Sequence, residues 1–239
     1  MYGENNNLKM GLYDGVPIGL GYLAVSFGFG IIAVSSGLSC YQAILISVFN
    51  LTSAGQLASV PIIAGGGSLF ELAAAQLTIN SRYALMSVSL SERMSKTVRM
   101  RDRLWIGFFN TDEVFATAVG KCAMLGRKYM LGLAIAPYLG WTLGTALGAL
   151  GGAILPELAV TALSVSLYAM FIAIVTPAVK RSLPLLFACL LAIVMSSLFT
   201  YIEVLSQIPT GFSIVICTVL VSALFAFIAP VKDGREAEE

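Results

Sequence analysis

Apolar residues run along this chain in long blocks separated by short polar breaks. The blocks cover roughly residues 16–35, 41–64, 69–90, 129–155, 158–179, 183–204 and 212–229. A helix crossing the bilayer core needs about 20 apolar residues, and the blocks are near that length. Apolar and polar positions do not alternate at the strand period that a transmembrane barrel requires. The hydrocarbon core offers no water to backbone N–H and C=O groups, so each block is expected to be a helix. An eighth segment, 104–119, is shorter and has Asn110-Thr111-Asp112-Glu113 at its centre. The pattern predicts an all-α fold, a polytopic transmembrane helix bundle of about seven to eight spans, forming one integral membrane domain over 1–239.

The breaks carry the charge. Arg93, Lys96, Arg99, Arg101 and Arg103 share one loop, and Lys121, Arg127 and Lys128 the next. Lys180 and Arg181 form a third group, and Lys232 and Arg235 lie in the tail. Basic loops stay on the cytoplasmic side. A full crossing by 104–119 would put the first two groups on opposite faces. A re-entrant or broken segment over 104–120 keeps both inside, and its short length and polar centre favour that reading. Seven crossings then put the tail inside and the N-terminus outside. The N-terminal stretch lacks the basic start and small-residue cleavage site of a signal peptide, so the first block is expected to remain as a span.

Glycine and proline hint at two three-helix halves, 15–90 and 129–204. Pro17-Ile-Gly-Leu-Gly21 and Pro137-Tyr-Leu-Gly140 each open a glycine-rich span. Such halves are typical of secondary transporters, and a re-entrant middle segment would make them inverted. Gly140, Gly144, Gly148 and Gly152 recur four apart on one helix face, which predicts a tight seam with another helix, inside the bundle or on a partner. The same glycines say nothing about substrate.

Composition narrows the function. Only 11% of residues are charged against 58% hydrophobic, too few to cover a water-facing surface. Net charge is +1, which gives no reason to expect nucleic acid. There is no histidine, so His-ligated zinc and His-based triads are excluded. Neither a phosphate-binding GxxxxGK[ST] loop nor a G-x-S-x-G nucleophile elbow is present. No enzyme, cofactor or metal site is expected. Cys40, Cys122, Cys189 and Cys217 have irregular spacing and read as small apolar residues.

Polar groups at membrane depth are costly and tend to face a cavity or a partner. Asn110, Thr111, Asp112 and Glu113 are the densest cluster, either an unwound segment lining a site or the cap of an interfacial helix. Asn50, Thr52, Ser53 and Gln56 lie in the second block, and interhelical hydrogen bonding explains them as well as a site does. Asn80-Ser81-Arg82 interrupt the third. Arg82 has three open roles: meeting a carboxylate, pairing with Asp112 or Glu113, or snorkelling to the surface. Glu71 and Asp14 are expected to serve helix starts.

The sequence resembles the AzlC family of branched-chain amino acid permeases over most of its length. The elements are Asp14-Gly-Val-Pro-Ile-Gly19, Phe27-Gly-Phe-Gly30, Ser53-Ala-Gly-Gln56, Ile79-Asn-Ser-Arg82, Thr111-Asp-Glu-Val-Phe115, Leu139-Gly-Trp141 and Ala169-Met-Phe-Ile172. Near Leu167-Tyr168 the family carries an acidic residue that this chain lacks. The resemblance implies export of leucine, isoleucine, valine and methionine across a bacterial cytoplasmic membrane, driven by the membrane potential or proton gradient. It also implies a small hydrophobic partner of the AzlD type. On that basis a zwitterionic substrate would set its carboxylate near Arg82 and its ammonium near Asp112 or Glu113. Gln56, Asn80 and Asn110 would complete the site. With no histidine, a carboxylate must carry any coupled proton, and Asp112 is the first candidate. A channel, a transporter of another small solute and a membrane-embedded enzyme remain as alternatives.

Overall fold

The computed structural model describes residues 4–121, 124–151 and 182–229, with 158, 165, 172, 175, 176, 179 and 180 between the last two. The chain divides into two compact units. The first takes in Met1–Val60 and Asn80–Met170, the second Pro61–Ile79 and Phe171–Glu239.

Helix α1 (Leu8–Ser35) starts well before the apolar block does, because the Asn7 side chain caps it by accepting from the N–H groups of Lys9 and Met10. Asp14 therefore lies within the helix and is not its cap. At the other end Gly37 takes a left-handed φ of 97°, which lets the chain turn out of the helix. Helix α7 (Arg127–Gly151) packs along α1, and glycines from both helices make the contact. A Cβ at Gly15 would lie 2.7 Å from the Leu133 carbonyl oxygen, and one at Gly19 2.5 Å from that of Ala136. From the other side, Gly140, Gly144 and Gly148 leave no room for a Cβ against the carbonyls of Gly19, Leu23 and Phe27. The two backbones touch, and only glycine permits it. The expected seam thus lies within the bundle. Gly152 is outside the described residues.

Contacts advance together along both helices, from Gly11 against Tyr129 to Gly30 against Thr145, so α1 and α7 run parallel. A two-residue parallel pairing of β1 (Glu4–Asn5) with β2 (Met124–Leu125) precedes them in the same direction. Inverted halves would set these opening helices in opposite directions, so this pair does not have the expected inverted relation.

The start of α7 gathers one end of the first unit. Asp102 pairs with Arg127 at 3.2 Å, and Lys121 with Asp14 at 2.8 Å. The Ser95 N–H donates to the Leu125 carbonyl and the Lys128 N–H to Asn6 Oδ1. Both basic loops and the N-terminal segment therefore share one end. This corrects the expectation of an N-terminus on the opposite face: chain ends that exchange hydrogen bonds and ion pairs with the basic loops lie on their side. Helices α5 (Met100–Phe108) and α6 (Asp112–Val119) leave this end and return to it, with a break at 109–111.

Helix α2 (Cys40–Phe49) approaches from the far end. The Cys40 thiol donates to the Ala149 carbonyl, Ser47 meets Thr145 at 2.7 Å, and Tyr138 donates to the Val48 carbonyl. It runs antiparallel to α7 and stops where Asn50 Oδ1 accepts from the Thr52 N–H and hydroxyl, local bonds that compete with the helical ladder. Helix α3 (Ser53–Ala64) follows, then α4 (Leu69–Arg93). Cys40 lies at the far end and Met94, bridged to Leu125, at the basic end, so an odd number of crossings separates them. Helix α4 has 25 residues, about 37 Å along its axis. Helices α2 and α3 have 10 and 12 residues, each too short to cross the bilayer core alone. The block 41–64 is therefore broken at 50–52 into two short helices and is not the single continuous helix its apolarity suggested.

The second unit contains the start of α4, then α8 (Leu183–Tyr201), α9 (Glu203–Ser206) and α10 (Thr210–Ile228). Glu71, in the first turn of α4, also accepts from the Gly211 N–H at 2.7 Å and so serves the start of α10. Among the described residues, four helices are long and apolar enough to cross a membrane: α1, α7, α8 and α10. The expected span 158–179 and the 169–172 element fall largely outside the described residues, as does Cys122. Cys40, Cys189 and Cys217 are free thiols.

Two outcomes test this arrangement. Gly140→Leu should lower the thermal midpoint in detergent by the equivalent of about 1–3 kcal/mol or more, whereas Gly21→Ala, with nothing within 4 Å of its Cβ, should not. A tag at the N-terminus should be protected from added protease in intact cells and cleaved in inside-out vesicles.

Candidate functional site

The two helix breaks meet beside the middle of α7. Tyr22, Leu51, Ser53, Tyr83, Thr111, Asp112, Glu113 and Trp141 line one cavity there. Leu51 and Ser53 come from the α2–α3 break, Thr111 to Glu113 from the α5–α6 break, and the rest from α1, α4 and α7. Its free space for a water-sized sphere is about 10 Å³, room for a single water. A solute the size of leucine fits only after the walls move.

The charges are arranged in two pairs. Arg82 and Asp112 form an ion pair at 2.8 Å, with the side chains 45% and 33% exposed. This is the second of the three roles open to Arg82 in the sequence. Arg82 also donates to the Tyr83 hydroxyl and lies 4.9 Å from that ring's centre. Glu113 accepts a short hydrogen bond from the Tyr22 hydroxyl. Asp112 and Glu113 occupy the first turn of α6, capped by Thr111, where the helix dipole favours negative charge. Tyr22 packs edge-on against Trp141 at 5.1 Å, and Phe109 against Tyr138 at 5.2 Å, so aromatic rings of α1 and α7 frame the α5–α6 tip.

Gln56 is brought to the same level but is fully buried and committed elsewhere. Its Oε1 accepts from Trp141 Nε1 at 2.8 Å, and its Nε2 donates to Ser47, which in turn meets Thr145. The amide thereby pins the start of α3 to α7 and α2. Asn110 is also buried and donates to Ser87 at 3.3 Å, while its Oδ1 has no partner among the described residues. Asn80 is half-buried on α4, one turn before Tyr83. Tyr22, Tyr83 and Leu51 were not singled out in the sequence, whereas Ser53 was, beside Gln56. A tyrosine after Arg82 and another three residues past Gly19 looked like ordinary bundle aromatics. Their place became visible only once the glycine seam set α1 against α7. Trp141 carried a signal, as part of the Leu139-Gly-Trp141 element.

Fold and site together define an α-helical membrane protein in which two broken helical segments meet beside the middle of α7. The chain matches the family described as AzlC protein over residues 17–155. It is 31% identical over 147 residues to "Inner membrane protein YgaZ" of Escherichia coli (strain K12), covering 59% of this chain and 60% of that one. It is 30% identical over 174 residues to an "Uncharacterized membrane protein" of Archaeoglobus fulgidus, covering 72% of this chain and 76% of that one. The match therefore spans less than two-thirds of YgaZ and about three-quarters of the archaeal protein. No solved structure matches the chain. It belongs to the AzlC family.

The Gln56 network makes a separable prediction. Gln56→Leu leaves the Trp141 N–H without its buried acceptor, which costs about 1–3 kcal/mol. Thermal unfolding should show a similar loss for Trp141→Phe, and the double variant should lose less than the sum.

Proposed function

We propose that this protein is a secondary active transporter that exports branched-chain amino acids (leucine, isoleucine, valine and methionine) across the bacterial cytoplasmic membrane, coupled to the proton gradient. The observation that carries the reading is the meeting of two helix breaks, one from each end, around a charged pair at mid-depth. Non-helical backbone at that depth is tolerated only against protein or a cavity, and broken helices are where secondary transporters bind their solutes. The printed name of the Escherichia coli relative supports the inner membrane.

The charge arrangement suits a zwitterion. An exposed ion pair is worth little, about 0–1 kcal/mol, so a solute bearing both charges can replace each partner at small cost. Its carboxylate would take Arg82 from Asp112. Its ammonium would take Asp112 or Glu113. Asn80 and Asn110, which lie close to the cavity without lining it, would orient the solute once the walls move, and Gln56 would act by holding the α3 tip. The rings of Tyr22, Tyr83 and Trp141 receive an aliphatic side chain. Asp112 is the carboxylate most directly exchanged between Arg82, an ammonium and a proton, so it carries the coupled proton in this scheme. No catalysis is proposed. A small hydrophobic AzlD-type subunit is the proposed partner, and no cofactor is needed.

Cells preloaded with labelled amino acids should lose leucine and valine, but not lysine or glutamate, when this chain and the small partner are expressed. Equal retention of all four would sink the proposal. Efflux that grows linearly with internal concentration would instead indicate a channel. Asp112→Asn should abolish pH-dependent efflux while the protein still reaches the membrane, and an unchanged pH profile would remove Asp112 from the coupling role.

A further inference from the structure

A second cavity, of about 460 Å³, lies between α4 and α5 and plays no part in the site above. Ser87, Val88, Leu90, Ser91, Glu92 and Met94 form one wall, and Met100, Arg103, Leu104, Ile106 and Gly107 the other. It begins at the basic end, where α4 finishes and α5 starts. It runs inward to Ser87, which accepts from Asn110. Asn110 immediately precedes Thr111 and Asp112, which line the mid-depth cavity. The cleft therefore stops one residue short of the proposed solute site.

We infer that this cleft is the cytoplasmic access route by which an apolar zwitterionic amino acid reaches that site, an inference that rests on the transport reading. Three observations support it. The walls are mostly apolar, with polar groups in two rungs. Arg103 donates to the carbonyl and hydroxyl of Ser91 at the mouth, and Ser87 meets Asn110 at the inner end. A solute with charged and apolar parts finds partners for both at each step. Gly107 keeps the passage open: a Cβ there meets only Ser87 Oγ, at 3.9 Å. Finally, Asn110 Oδ1 is shielded and unpartnered at the inner end, a cost that an arriving ammonium donor would relieve. Arg103 crosses the mouth as a strap, and its bonds to Ser91 must break for entry.

The test uses the full chain with Cys40, Cys122, Cys189 and Cys217 replaced by serine, carrying Ser87→Cys. A charged, membrane-impermeant thiol reagent should label it in inside-out vesicles and not in right-side-out ones, and leucine should slow the labelling several-fold. In the otherwise native chain, Gly107→Phe should reduce leucine efflux to the level of cells lacking the protein, at unchanged membrane abundance. Gly21→Phe, on an open face of α1, should not. Absence of labelling, as in a cleft filled by lipid, or labelling only from the far face, would overturn the route. So would wild-type efflux by Gly107→Phe. Labelling does not require the solute to be known. A wrong substrate assignment would leave it intact and insensitive to leucine, and a wrong route would abolish it.

Discussion

Backbone contact between α1 and α7 is the constraint on which the first unit depends. In lipid, helices gain little from hiding apolar surface from one another, and association rests on close packing. Gly11, Gly15 and Gly19 on one helix and Gly132, Gly140, Gly144 and Gly148 on the other supply it. The other described elements of the unit are fixed at different levels of this pair. The far end of α7 holds Cys40, its middle holds Gln56 through Trp141, and its start holds the basic loops through Arg127 and Leu125. A wider seam would move Tyr22 away from both Trp141 and Glu113, and the cavity would lose its walls.

Against this rigid pair, the two broken segments are held more lightly. A helix that stops inside the bilayer leaves backbone groups that need partners. Asn50 provides for one break and Thr111 for the other, and both lie in polar surroundings. The α2–α3 tip is fastened by the buried chain of Gln56, Ser47, Thr145 and Trp141. The α5–α6 tip relies on ring contacts, the half-exposed Arg82–Asp112 pair and the Tyr22–Glu113 bond. The second tip is thus held by bonds that a charged solute can exchange, the first by bonds it cannot reach. That asymmetry makes α5–α6 the element best suited to move.

Helices and their apolar character were legible in the sequence because length and hydropathy decide them locally. The glycine stripe of α7 was legible for the same reason, although its mate, Gly11 to Gly19, was overlooked despite identical spacing. Direction was not legible. A 24-residue apolar block over 41–64 is long enough to cross, and only the Asn50–Thr52 bonds, which end α2, reveal that it is broken. Likewise the side of the N-terminus depended on β1 pairing with β2, a contact between residues far apart in the chain. Arg82 and Asp112 stood out as costly intramembrane charges, but their pairing depends on how α4 meets the tip of α6. Gln56 was recognised as polar and deep, yet whether its amide served a solute or the fold depended on Trp141.

The site's balance of charge also bears on selectivity. Arg82, Asp112 and Glu113 bring one positive and two negative groups to the cavity. A zwitterion that displaces the Arg82–Asp112 contact leaves this balance as it was, because it supplies one of each charge. An anionic amino acid adds an uncompensated negative charge to this excess, at a depth where single charges are expensive. Rejection of such solutes then requires no steric filter, only the absence of a further counter-charge. On the proposed transport reading, discrimination against anionic amino acids would thus follow from the counter-charge the cavity lacks.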